Sequence, residues 1–146
     1  MTGSGAHDVD QRDRRGLRVL SMDECVARLA RTPMGRVAFV SAGESVILPV
    51  NHGVDGSCVV FRTTEGSKMD VAVDTGNVAY EVDGYDASTE TGWSVVVKGT
   101  AELVYDDAET SRFDALGLRS WADPERPGQW VRIRPEEISG RELVPG

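Results

Sequence analysis

Cysteine and histidine are scarce, two of each in 146 residues. Cys25 and Cys58 are too few for a disulfide framework and sit beside apolar residues, so they read as buried, reduced thiols. His7 and His52 give a His/Cys zinc site little to build on. Positive charge is short as well: 16 Lys and Arg face 24 Asp and Glu, a formal charge of −8. Affinity for a polyanion rests on basic side chains that displace counterions, so a general DNA- or RNA-binding role is disfavoured, while a local basic pocket stays open. No apolar run approaches the roughly 18 residues needed to span a bilayer, and residues 1–8 lack the apolar stretch of a secretory signal. The expectation is a soluble, cytoplasmic protein.

What is present suits one domain. The length lies within the usual range of about 100–150 residues, and 40% hydrophobic residues suffice for a core. Residues 1–16 carry Gly, Ser, Asp and Arg with almost no apolar spacing, which predicts a flexible tail ahead of a domain over 17–146. Ser21-Met22-Asp23-Glu24 matches a capping box and predicts a short helix with Met22, Cys25, Val26 and Leu29 on one face, blocked by Pro33. From Gly35 the period changes to that of strands. Residues 36–40, 45–50 and 57–62 are β-branched runs separated by Gly43-Glu44 and Asp55-Gly56, which predicts three antiparallel strands. Pro49 cannot donate to a ladder, so the end of the second strand belongs at an edge, at a bulge, or where a ligand replaces a neighbouring strand.

A short helix is predicted over 66–73, then strands over 78–82 and 93–104 around an acidic, polar loop from Asp83 to Gly92. Gly99 marks a bend or bulge. A helical spacing over 106–118, a turn over 123–128 and a final strand over 129–134 complete the chain. Six strands with short helices suggest a mainly β protein, an antiparallel barrel with helices across its openings.

The stretch Phe61-Arg62-Thr63-Thr64-Glu65-Gly66-Ser67-Lys68 carries the chemistry. A strand ends in Arg62, hydroxyls follow at Thr63 and Thr64, Gly66 permits a tight turn, and Ser67 and Lys68 open a helix. Free amides at a helix start, a two-pronged guanidinium and a nearby ammonium suit a phosphate. The spacing is not that of a Walker A loop. The same pattern also fits a strand-turn-helix whose Arg62 and Lys68 face solvent.

Taken together, Ser21-Met22-Asp23-Glu24-Cys25, Gly35-Arg36-Val37-Ala38, Leu48-Pro49-Val50-Asn51, Phe61-Arg62-Thr63-Thr64, Gly66-Ser67-Lys68, Val78-Ala79-Tyr80-Glu81-Val82-Asp83 and Trp93-Ser94-Val95-Val96-Val97-Lys98-Gly99 resemble the pyridoxamine 5′-phosphate oxidase-like family. The likeness runs in order over residues 17–143. It implies an FMN-binding split β-barrel of six antiparallel strands in Greek-key order, working as a homodimer with cofactor sites at the subunit interface. On the matching positions, Arg62, Thr63, Ser67 and Lys68 would hold the FMN phosphate, with Thr64 in the same cofactor-binding set, Pro49, Val50 and Asn51 would line the ring, and Trp93 and Ser94 would border the ribityl chain or ring of the same or the partner site. Trp121, Trp130 and Arg132 are the candidates for the residue that the other subunit adds.

The likeness further implies a small flavin-dependent oxidoreductase acting on a small-molecule substrate or electron acceptor. The Arg-x-His-x-Arg ending of true pyridoxamine phosphate oxidases is absent, since no histidine follows His52. Vitamin B6 oxidation is therefore not expected. Two other readings share the pocket: a deazaflavin-dependent reductase, with Arg36 near the mouth for a longer acidic tail, and a non-catalytic flavin- or haem-binding protein. His52 reads either as a proton donor or haem ligand, or as a structural side chain. The carboxylates Asp83, Asp86 and Glu90 read as a solvated loop, and no metal site or catalytic residue is assigned.

Overall fold

Ser21 opens the first helix, α1 (Met22–Arg31), as a capping box requires: its hydroxyl accepts from the Glu24 amide at 3.2 Å, and the Glu24 carboxylate accepts from the Ser21 amide at 3.0 Å. The computed structural model describes residues 11–64, 76–121, 125 and 128–145. Cys25 and Leu29 bury one face of α1, and the Thr32 hydroxyl donates to the Arg28 carbonyl before Pro33 ends the turn.

The strands are β1 (Arg18–Val19), β2 (Met34–Ser41), β3 (Glu44–Asp55), β4 (Cys58–Thr63), β5 (Asn77–Asp86), β6 (Thr91–Leu103) and β7 (Gln129–Leu143), with α2 (Asp107–Asp114) before the last. Every pairing is antiparallel. The order β7-β4-β3-β2-β5-β6 closes on itself because β6 also pairs with β7, so the six expected strands form a ring. The step from β4 to β5, which returns beside β2 instead of beside β4, is the Greek-key move. Alternate residues point inward: Val37, Phe61, Tyr80, Val82, Val95, Val97, Val131 and Ile133 are all fully buried. Leu20, Cys25 and Leu29 join that core. Closing the ring reduces the strand edge that another chain could extend.

Four differences separate the structure from the sequence expectations. The loop from Asp83 to Gly92 shrinks to a turn over residues 87–90, because the polar residues before and after it pair in register, Asp83 with Ser94 and Asp86 with Thr91. Asp86 folds that turn by accepting from the Ser88 amide and hydroxyl. The last strand continues past Arg134 to Leu143, since Pro135 falls at the register shift beside Lys98 and Gly99 and its missing N–H disturbs no other ladder position. Gly99 is the expected bulge: a Cβ there would collide with the Arg134 carbonyl.

The second helix is shorter than expected. Asp106 caps it, accepting from the Glu109 amide at 3.0 Å, and it ends at Asp114. It lies on the outer face of β4 and β7, where Val60, Val104, Phe113 and Trp130 form a second small core, rather than across a barrel opening. The fourth difference is β1, a short seventh strand paired with Arg141 and Glu142.

The expected tail boundary at Leu17 falls within a contact set. Residues 11–17 fold into a turn in which Asp13 accepts from the Arg15 and Leu17 amides and from Arg141 Nε. Among the described residues no helix is long and apolar enough to cross a membrane. The helix expected over 66–73, with Gly66, Ser67 and Lys68, lies outside the described residues, as does most of the turn over 123–128.

Candidate functional site

The cleft begins where the sheet parts. Along one edge β3 pairs with β2 from Glu44 to Asn51, but along the other it meets β4 only from His52 to Asp55. Beyond the His52–Phe61 pair the strands separate. Leu48, Pro49 and Val50 form one wall and Arg62, Thr63 and Thr64 the other, with Ser120 and Trp121 at the rim, around a cavity of about 140 Å³. Pro49 lies in this parted stretch, as its missing donor predicts.

Arg62 occupies an electrostatic corner. Its Nη1 is 3.3 Å from Asp114 Oδ1, and its guanidinium carbon stands 4.9 Å from the centre of the Trp130 ring. The Trp130 indole donates to the same Asp114 oxygen at 3.0 Å. Arg62 Nε is buried and meets no hydrogen-bond acceptor among the described residues. A buried guanidinium N–H left without an acceptor is costly, while the half-buried Arg62 side chain as a whole lines the cleft. Thr63 is buried beside it and Thr64 is exposed at the mouth, so three consecutive residues of the expected cofactor-binding stretch converge. Ser67 and Lys68 lie outside the described residues.

A strap from α2 closes the rim. The Asn51 amide donates to the Arg119 carbonyl at 2.8 Å, while its carbonyl oxygen accepts from the Trp121 indole at 3.2 Å. Leu116 presses onto β3 at Gly53, where a Cβ would sit 2.7 Å from its Cδ1. The Asn51 side chain therefore holds the strap, and Trp121, 59% exposed, stands over the cleft of its own chain.

A model of the pyridoxamine 5′-phosphate oxidase family matches residues 21–142. The chain belongs to that family. An uncharacterised protein of Mycobacterium tuberculosis is 40% identical over 130 residues, 86% of this chain and 84% of the relative. Among solved structures, an FAD-binding protein from Mycobacterium smegmatis is 35% identical, covering 86% of this chain and 99% of its own, with a TM-score of 0.72. A conserved protein of unknown function from Corynebacterium diphtheriae is 34% identical, covering 88% of this chain and 98% of its own, with a TM-score of 0.73.

The remaining family-motif residues sit elsewhere on the barrel. Trp93 packs against Gly84, with the Arg28 guanidinium 4.9 Å from its ring centre. Ser94 lines a second depression with Glu81, Asp83 and Arg141. Neither lines the cleft at Arg62. Arg36, the residue considered for an acidic cofactor tail, is engaged instead with Glu81 at 3.2 Å and Asp83 at 3.3 Å. Burial, reinforced by a hydrogen bond with Asp83, pushes the Glu81 carboxyl up to about 7.

Two further candidates are engaged within the chain itself. Arg132 is buried between Glu102, at 2.7 Å, and Glu109, so it fastens α2 to the barrel and leaves no free cation for a neighbour's pocket. His52 is buried too: Nε2 lies 2.9 Å from the Leu29 carbonyl and Nδ1 2.5 Å from the Tyr80 hydroxyl, so neither nitrogen reaches the cleft. Trp130 lies beneath Arg62 of its own chain, at the edge of the second core.

Sequence reasoning missed Asp114 and Ser120. One signal for Asp114 was readable: a carboxylate in the last turn of a helix opposes the helix dipole and calls for a compensating donor.

Proposed function

We propose that this cleft binds a flavin nucleotide, with the phosphate at Arg62, Thr63 and Thr64 and the ring against Pro49 and Val50. The convergence of cationic Arg62 with Thr63 and Thr64 on one wall of the cleft carries the reading, because a guanidinium beside hydroxyl residues suits a phosphate. The FAD-binding relative from Mycobacterium smegmatis supports it. FMN is the nucleotide that the phosphate grouping suggests, and FAD presents a phosphate at the same point of its chain. A bound flavin supplies hydride or electron transfer, while the chain's own residues bind it, orient it and limit water at the cleft.

The homodimer belongs to the same proposal. The cavity, at about 140 Å³, is well below the roughly 300–1,000 Å³ of a pocket that encloses a cofactor, so further walls are needed. A second, apolar groove of about 550 Å³ lined by Ala38, Phe39, Val40, Val78 and Ala79, beside exposed Val40, supplies a face for another copy. With no histidine after His52, the substrate or electron acceptor is proposed to be a small molecule other than pyridoxamine phosphate.

The test is an absorption spectrum after FMN or FAD is added and the excess removed by gel filtration. About one flavin per chain should be retained, and Arg62→Ala should weaken retention at least about tenfold. A colourless wild-type protein, or unchanged affinity in Arg62→Ala, sinks the proposal.

A further inference from the structure

Asp114 sits where helix electrostatics disfavour it. It is the last residue of α2, where the unpaired carbonyls concentrate partial negative charge. Its Oδ1 is nonetheless shared by two donors from neighbouring strands, Arg62 Nη1 at 3.3 Å and the Trp130 indole at 3.0 Å. Trp130 in turn lies under the Arg62 guanidinium, so the three side chains fix one another. We infer that Asp114 is a positioning residue for the phosphate-binding arginine: by holding Nη1 over Trp130 it fixes the guanidinium at the wall of the cleft. This rests on the flavin-phosphate reading of the cleft.

The geometry separates this role from helix docking. The helix has other anchors: Phe113 is buried, Arg112 Nη2 is 2.9 Å from Asp55 Oδ2, and Glu109 pairs with buried Arg132. Loss of the Asp114 carboxylate therefore leaves α2 in place and frees the guanidinium to swing. A guanidinium that must be ordered on binding grips an anion less well than one already held. The opposite role, a carboxylate that merely competes with the phosphate for Arg62, predicts the opposite sign.

The experiment compares FMN with riboflavin, which has the ring and ribityl chain but no phosphate. Dissociation constants are measured by fluorescence titration for the wild type, Asp114→Ala, Asp114→Asn and Arg62→Ala. The ratio of riboflavin to FMN constants isolates the phosphate contact. Asp114→Ala should lower that ratio about tenfold through FMN alone, with riboflavin unchanged within about twofold. Asp114→Asn, whose amide oxygen still accepts from both donors, should keep most of the ratio, and it serves if the alanine variant does not fold.

Each other outcome overturns a distinct claim. An unchanged or raised ratio in Asp114→Ala, alongside a collapsed ratio in Arg62→Ala, overturns the positioning role and leaves the phosphate site standing. A raised ratio in Asp114→Asn does the same. A wild type that binds riboflavin as well as FMN overturns both. An equal loss of both ligands in Asp114→Ala marks Asp114 as structural only.

Discussion

Tyr80 donates its hydroxyl hydrogen to Nδ1 of His52 at 2.5 Å, in the interior of the barrel. The direction follows from the other nitrogen: Nε2 lies 2.9 Å from the Leu29 carbonyl, which can only accept. One neutral imidazole thereby joins α1, β3 and β5. Tyr80→Phe leaves Nδ1 buried without a donor and should cost about 1–3 kcal/mol, read as a lower urea midpoint at unchanged slope.

Burial holds the His52 imidazole below its ordinary 6.5, the Leu29 hydrogen bond only partly offsetting this. The unfolded chain therefore binds a proton that the native state refuses, and stability falls as pH drops below about 6.5. His52→Gln should lower stability at pH 8 yet show a shallower loss of melting temperature between pH 6.5 and 5.5. An identical slope in the two proteins would assign the acid sensitivity elsewhere.

Glu81 gives the reverse sign. Its carboxyl, at about 7 in the fold against 4.5 in an unfolded chain, keeps a proton that unfolding releases. That contribution to stability is present below pH 4.5 and is lost as pH rises toward 7. Glu81→Gln should gain stability relative to wild type at pH 8 and lose that advantage at pH 4.5, as measured by denaturant midpoints.

Asn51 holds Trp121 through its side-chain oxygen. Asn51→Ala should expose the indole further, raising acrylamide quenching of tryptophan emission. The added quenching should vanish in the double variant Asn51→Ala/Trp121→Phe; if it persists, another tryptophan has moved.

The proposed dimer face is open to a charge test. Val40 is 57% exposed beside the apolar groove. Light scattering should give about twice 15.8 kDa for the wild type and 15.8 kDa for Val40→Lys. A wild type at 15.8 kDa would remove the dimer from the proposal.

The strands and first helix were legible because local signals suffice for them. Ser21 and Glu24 write their cap in sequence, and the alternation through Val95 and Val97 states which face is buried. The ends of strands were less so, since Asp83, Asp86 and Glu142 look like loop residues until cross-strand partners give them a place. The cleft was half legible. Pro49 and Arg62 announce themselves by backbone and charge, whereas Asp114, far along the chain, meets Arg62 only when α2 folds onto β4. His52 keeps its structural reading for a related reason: only the fold brings Leu29 and Tyr80 to its two nitrogens.

β7 follows every other strand in the chain, yet it pairs with β1, β4 and β6. During synthesis the β2–β3–β4 meander and the β5–β6 hairpin can each form early, but the seam between β4 and β6 stays open until β7 emerges from the ribosome. Such distant pairings make folding slow and leave apolar faces uncovered for a time. Changes in β7 that weaken its pairing with β4 and β6 should therefore reduce soluble yield more than equally destabilising changes in the β2–β3 hairpin.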